Sequence, residues 1–123
     1  MTALELLETY PKAANMISQF YQQRLIQSMN TDNVPEDFKE LLKQQNFDNL
    51  YVSKFLDANP RILFDVFDEN GIFVETLYME NKFHFTIVNE GEGVLAEPES
   101  FDTRMECDRS AIRSAMKLLN DKL

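Results

Sequence analysis

The stretch Arg61–Tyr78, RILFDVFDENGIFVETLY, decides how the second half of this 123-residue chain is built. Its centre, Asp68-Glu69-Asn70-Gly71, joins oxygen-rich side chains to a glycine, a pattern shared by calcium loops and by chain-reversing turns. With Gly71 at position 6 of a calcium loop, Asp68 and Asn70 fall on positions 3 and 5. Positions 1 and 12 then fall on Val66 and Leu77, which carry no ligand atoms, so calcium is excluded. Aspartate at the first and glycine at the fourth position of a type I turn predict instead a three-residue hairpin loop, Glu69-Asn70-Gly71. That register gathers Ile62, Phe64, Val66, Ile72, Val74 and Tyr78 on one face of a two-stranded ribbon, with only Thr76 polar among them.

A second loop at Glu80-Asn81 pairs Met79 with Lys82 and brings Phe83, Phe85 and Ile87 onto the same face. Three strands are therefore expected, over residues 61–68, 72–79 and 82–88. NEGEG at 89–93 reads as a loop and residues 94–96 as a short edge segment. A fourth strand is expected over 100–106, where Phe101, Thr103 and Met105 alternate with polar residues. Asp108 then caps a last helix with Ile112, Ala115, Met116 and Leu119 on one face.

The first sixty residues read as about four helices. Thr2 and Glu5 have the spacing of a capping box. Pro11 ends the first helix near Tyr10 and opens a long second one with a stripe of Ala13, Met16, Ile17, Phe20, Tyr21, Leu25 and Met29. Pro35 opens a third, running to about Asn46, with Phe38, Leu41 and Leu42 inward. Asp48 caps a fourth, with Phe47 and Val52 as a hydrophobic staple, Leu50, Tyr51, Phe55 and Leu56 inward, and Asn59-Pro60 as its stop. The expected fold class is α+β: N-terminal helices packed on a C-terminal antiparallel meander of three to four strands, followed by a C-terminal helix. A single domain is expected over 1–123, with a helical half at 1–60, the sheet at 61–106 and the last helix at 108–121.

Composition narrows the function. A hydrophobic content of 44% over 123 residues is enough for a core without disulfides or metals. The single cysteine, Cys107, fits a reducing compartment, and its neighbours Glu106 and Asp108 disfavour a reactive thiolate. Neither a membrane span nor a signal peptide is recognisable, so a cytoplasmic location is expected. Twelve acids and two bases lie between Asp65 and Asp108, in a chain whose net charge is −9. Direct binding to nucleic acid or an anionic membrane is disfavoured.

The opposite sheet face carries Leu63, Asp65, Phe67, Phe73, Glu75, Leu77, Lys82, His84, Thr86 and Val88. In the hairpin register Asp65 and Glu75 are cross-strand neighbours with His84 diagonal to Glu75, so this trio is the candidate metal or acid/base site. The plainer reading is a half-solvated face. No nucleophile with a base, zinc ligand pair or phosphate loop occurs, so neither catalysis nor a cofactor is expected.

The favoured reading is a small acidic protein-interaction module: an inhibitor, immunity-type protein, adaptor or small chaperone. Its partner is another protein with a basic surface, or a second copy in a homodimer. The candidate contacts are the acids Glu90, Glu92, Glu97, Glu99 and Asp102, the aromatics Phe67 and Phe73, and a basic stripe of Arg109, Arg113 and Lys117 at i, i+4, i+8. KFHFTIVNEGEG followed by SFDTRMECDRSAIRSAMKLL loosely resembles the tail of sterol-carrier-type domains, over about forty residues. That resemblance implies an alternative, a carrier of an apolar or lipid-like ligand held between helices and sheet, and carries over no site residue.

Overall fold

The computed structural model describes residues 2–28, 35–43, 47–96 and 99–123, without the side chains of residues 39, 42, 43 and 96. The expectations for Met29, Leu42, Asn46 and Glu97 lie outside what is described. The chain divides into two compact units, Met1–Pro60 and Arg61–Leu123.

The first unit is helical: α1 Ala3–Thr9, α2 Pro11–Ser28, α3 Glu36–Lys43 and α4 Asn49–Ala58. The starts follow from the sequence. Thr2 accepts a hydrogen bond from the Glu5 amide at 3.2 Å, which caps the helix, and its hydroxyl donates to the Glu5 carboxylate at 3.0 Å. Asp48 likewise accepts from the Tyr51 amide at 2.8 Å. Helix α1 packs against α2 and α4, and α2 against α3 and α4. Leu7, Ala13, Ile17, Val52 and Leu56 form the core, each at most 2% exposed. Four expected inward residues are not inward, because Phe38, Leu41, Leu50 and Phe55 are 48%, 64%, 58% and 40% exposed.

The second unit runs α5 Ile62–Glu69, β1 Ile72–Met79, β2 Lys82–Asn89, β3 Gly93–Ala96, α6 Arg104–Lys122. The sheet is antiparallel in the order β1-β2-β3. Two expected strands are corrected. Residues 62–69 form a helix, because Leu63, Val66 and Phe67 satisfy a helical stripe as well as Ile62, Phe64 and Val66 satisfy a strand. Burial selects the helical stripe: Leu63, Val66 and Phe67 are at most 2% exposed while Asp65, Asp68 and Glu69 face solvent.

DENG is therefore the C-terminal stop of α5 and not a hairpin loop. The Asn70 side chain donates to the Val66 carbonyl at 2.7 Å, its amide bonds the Phe67 carbonyl at 2.9 Å, and Gly71 turns the chain away at φ +74. Lys122 closes the stop by donating to the Asn70 carbonyl at 2.7 Å, a cation at the negative end of the helix.

The expected strand at 100–106 is reduced to one bridge between Phe101 and Phe83. Thr103 accepts from the Glu106 amide at 3.2 Å and starts α6 there, ahead of Asp108. The Thr103–Glu106 spacing is itself a capping box, which outweighs a short alternation of apolar residues.

The second hairpin has the expected register, Met79 opposite Lys82 and Tyr78 opposite Phe83. Glu80 and Asn81 both take positive φ, 56° and 64°, the geometry of a two-residue loop that matches strand twist. The inner sheet face is covered at its centre, where Ile72, Phe85 and Ile87 are at most 1% exposed under α5 on β1 and α6 across β1 and β2, while Tyr78 at the loop end and Leu95 of β3 stay 62% and 41% exposed. Each such large side chain contributes roughly 1.5–3 kcal/mol on burial, which is why the inner face is the one the helices cover.

Candidate functional site

The outer face of the sheet is set by the pleat. Phe73, Glu75, Leu77 and Met79 of β1 lie beside Val88, Thr86, His84 and Lys82 of β2, and Val94 of β3 lies beside Val88. Phe73, Leu77, Met79 and Val94 are 41%, 48%, 53% and 69% exposed. This apolar strip is broken by the Glu75–Thr86 pair into Phe73 with Val88 and Val94 on one side and Leu77 with Met79 on the other, and exposed apolar groups gathered this way on one face mark interaction surfaces. Glu75 is exposed within the strip, and Glu80, Glu90 and Glu92 are exposed at its ends.

The structure separates the three candidate metal or acid/base residues. Glu75 and His84 keep their diagonal relation on β1 and β2, but Asp65 sits on α5. Its pairing with Glu75 required residues 61–68 to be a strand. Among the described residues no group of three His, Cys, Asp or Glu is placed to hold a metal ion.

Of the expected contact residues, Phe73 is on the exposed strip. Phe67 was expected on that same sheet face and is instead fully buried on α5. Glu90 and Glu92 flank the loop between β2 and β3, where Glu92 accepts from the buried Asn89 amide group at 2.9 Å. Asp102 is paired with Lys82, and Glu99 is exposed. Arg109, Arg113 and Lys117 all face solvent along α6, and among the described residues none is paired with an acid.

Two residues that the sequence marks only as a helix cap and as part of a helical stripe have surroundings it does not show. Asp108 lies under the sheet, accepting from Arg61 at 3.0 Å and from the Thr76 hydroxyl at 3.4 Å. It therefore ties α6 to the start of α5 and to the inner face of β1, and only the tertiary fold brings these residues together. The second is Tyr21, 9% exposed, whose hydroxyl has no hydrogen-bond partner among the described residues and whose pKa is pushed up to about 12 by burial. Cys107 is buried, and burial followed by the adjacent Asp108 charge raises its thiol pKa, with Arg104 opposing.

In the helical unit Tyr21, Arg24, Leu25, Ser28, Phe47 and Phe55 line a cavity of about 220 Å³. Its walls include the Tyr21–Phe55 ring stack, with centroids 5.5 Å apart. Among the described residues no helix is long and apolar enough to cross a membrane. Neither a family model, nor a curated protein, nor a solved structure matches this chain.

Proposed function

We propose that the chain is a non-catalytic protein-interaction module of the inhibitor, immunity-type, adaptor or small-chaperone class. Its second unit receives the partner on the outer face of the sheet. The observation that carries this reading is the apolar strip of Phe73, Leu77, Met79 and Val94 left exposed on one pleat face. Protein interfaces combine such an apolar centre with a polar rim. Here the rim is anionic, with Glu75, Glu80, Glu90 and Glu92, so the matching surface is apolar with basic residues around it. The net charge of −9 favours fast encounter with such a surface.

The test is affinity capture from the native host with stepwise salt elution, read by mass spectrometry, on the wild type and on Leu77→Lys and Glu75→Lys. A basic partner retained by the wild type and released by both variants supports the proposal. Retention that is the same for all three proteins, or the absence of any retained protein, overturns it. Both positions are exposed, so the variants keep the fold, which circular dichroism checks.

A further inference from the structure

The backbone of β1 carries a second set of binding groups, and their direction follows from the hairpin. In an antiparallel ribbon closed by a two-residue loop, the residues flanking the loop form a hydrogen-bonded pair, and such pairs recur at every second position. Met79 and Lys82 are that pair, followed by Leu77 with His84, Glu75 with Thr86 and Phe73 with Val88. The Glu90 amide bonding the Gly71 carbonyl at 2.8 Å continues the phase. Ile72, Val74, Thr76 and Tyr78 therefore point their N–H and C=O groups away from β2, on the outer edge of a sheet whose order is β1-β2-β3. Among the described residues none of these groups takes part in a backbone hydrogen bond on that side. This eight-residue edge has no proline and no lysine, and Glu75 is its one charged guard against strand addition.

We propose that β1 accepts an added strand from a partner protein, and that this segment carries a base flanked by apolar residues at alternate positions. The inference rests on the reading of the sheet as a protein-binding face and names the element that binds there. The chemistry of the partner follows from the side chains beside the free edge. An added strand shares the pleat of β1, so every second residue of it lies on the outer face opposite Leu77, Glu75 and Phe73. Apolar, basic, apolar is the order that matches them.

A second copy of this chain is the poorer occupant. The antiparallel self-pairing that uses all four outward residues sets Ile72 against Tyr78 and Val74 against Thr76. It thereby sets Glu75 against Glu75, at the close spacing of a non-hydrogen-bonded pair, between two chains of net charge −9. Glu75 thus disfavours the self-association that the edge otherwise invites, while leaving it open to a basic segment.

The probe is a blocked seven-residue peptide with leucine, lysine and leucine at positions 2, 4 and 6 and threonine elsewhere. It is compared with a version carrying glutamate at position 4 and a version N-methylated at alternate residues. Binding is measured by calorimetry, and the site by amide hydrogen exchange on the full chain. In the free protein the amides of Val74, Thr76 and Tyr78 exchange faster than those of Glu75 and Leu77. The lysine peptide slows Val74, Thr76 and Tyr78 selectively. N-methylation weakens binding by about ten-fold or more, since each backbone hydrogen bond lost removes a factor of a few. Glu75→Lys reverses the preference from the lysine to the glutamate peptide.

Protection of the outward amides in the free protein, or equal affinity of the N-methylated peptide, overturns strand addition. If the peptide binds with loss on Leu77→Lys but without amide protection, strand addition fails while face docking stands. If it binds neither way and host capture also fails, both proposals fall.

Discussion

Replacing Gly71 by alanine tests the assignment of DENG as a helix stop. Gly71 holds φ at +74, a region that costs a residue with a Cβ roughly 1–2 kcal/mol. An added Cβ would also lie 2.9 Å from a Glu90 carboxylate oxygen, 3.1 Å from the Glu90 Cβ and 3.2 Å from the Lys122 ammonium. The Glu90 Cβ belongs to a residue whose amide is bonded to the Gly71 carbonyl, so it yields only if that contact loosens. Crowding of this kind adds on the order of 1 kcal/mol, and the stiffer unfolded chain returns about 0.4–1 kcal/mol. The net expectation is a loss of about 1–2.5 kcal/mol. The control is Gly91→Ala, where φ is +84 but nothing lies within 4 Å of the added Cβ, so only the backbone cost applies. Urea unfolding followed by circular dichroism measures both. Gly71→Ala should be the more destabilising by about 1 kcal/mol. Equal losses, within about 0.3 kcal/mol, would refute the close packing of α5's stop against the β2–β3 loop and the end of α6.

Two further outcomes follow from buried titratable groups. Tyr21 has an ordinary pKa near 10 when unfolded and about 12 when folded, so the folded state holds its proton longer. Stability is then unaffected below pH 10 and falls by about 2–3 kcal/mol as the pH rises from 10 to 12. Tyr21→Phe should abolish that fall and stabilise the protein at pH 7 by about 1 kcal/mol, because it removes a buried hydroxyl that has no partner among the described residues. A pH series of thermal unfolding decides it, and a destabilised phenylalanine variant would show that the hydroxyl is satisfied in solution. Cys107 should react with a chromogenic disulfide reagent only as fast as the unit opens, since the thiol is buried and its pKa is raised. Rapid labelling of the native protein at pH 8 would contradict its burial.

Much of the local structure is written in short-range chemistry. The Thr2 and Asp48 caps and the opening of α2 at Pro11 depend on residues a few positions apart, and each is found where the sequence places it. The same holds for the Glu80-Asn81 loop and the Met79–Lys82 register, because a two-residue loop leaves one way to pair the strands that follow. The acidity of residues 65–108 and the alternation that leaves Phe73 and Leu77 opposite the inner face were likewise legible in advance.

Residues 62–69 were not legible in this way. Their apolar positions fit both periods, and Asp-Glu-Asn-Gly serves a turn as readily as a helix stop, so local preference does not separate them. What separates them is burial at a distance. As a helix the segment hides Leu63, Val66 and Phe67 against β1 and α6. Its last carbonyls meet Lys122, 52 residues further along the chain. The same tertiary arrangement places Asp108 under Thr76 and Arg61, where its sequence position suggested a cap. By turning the expected first strand into a helix it leaves β1 at the edge of the sheet, with half its backbone groups facing outward.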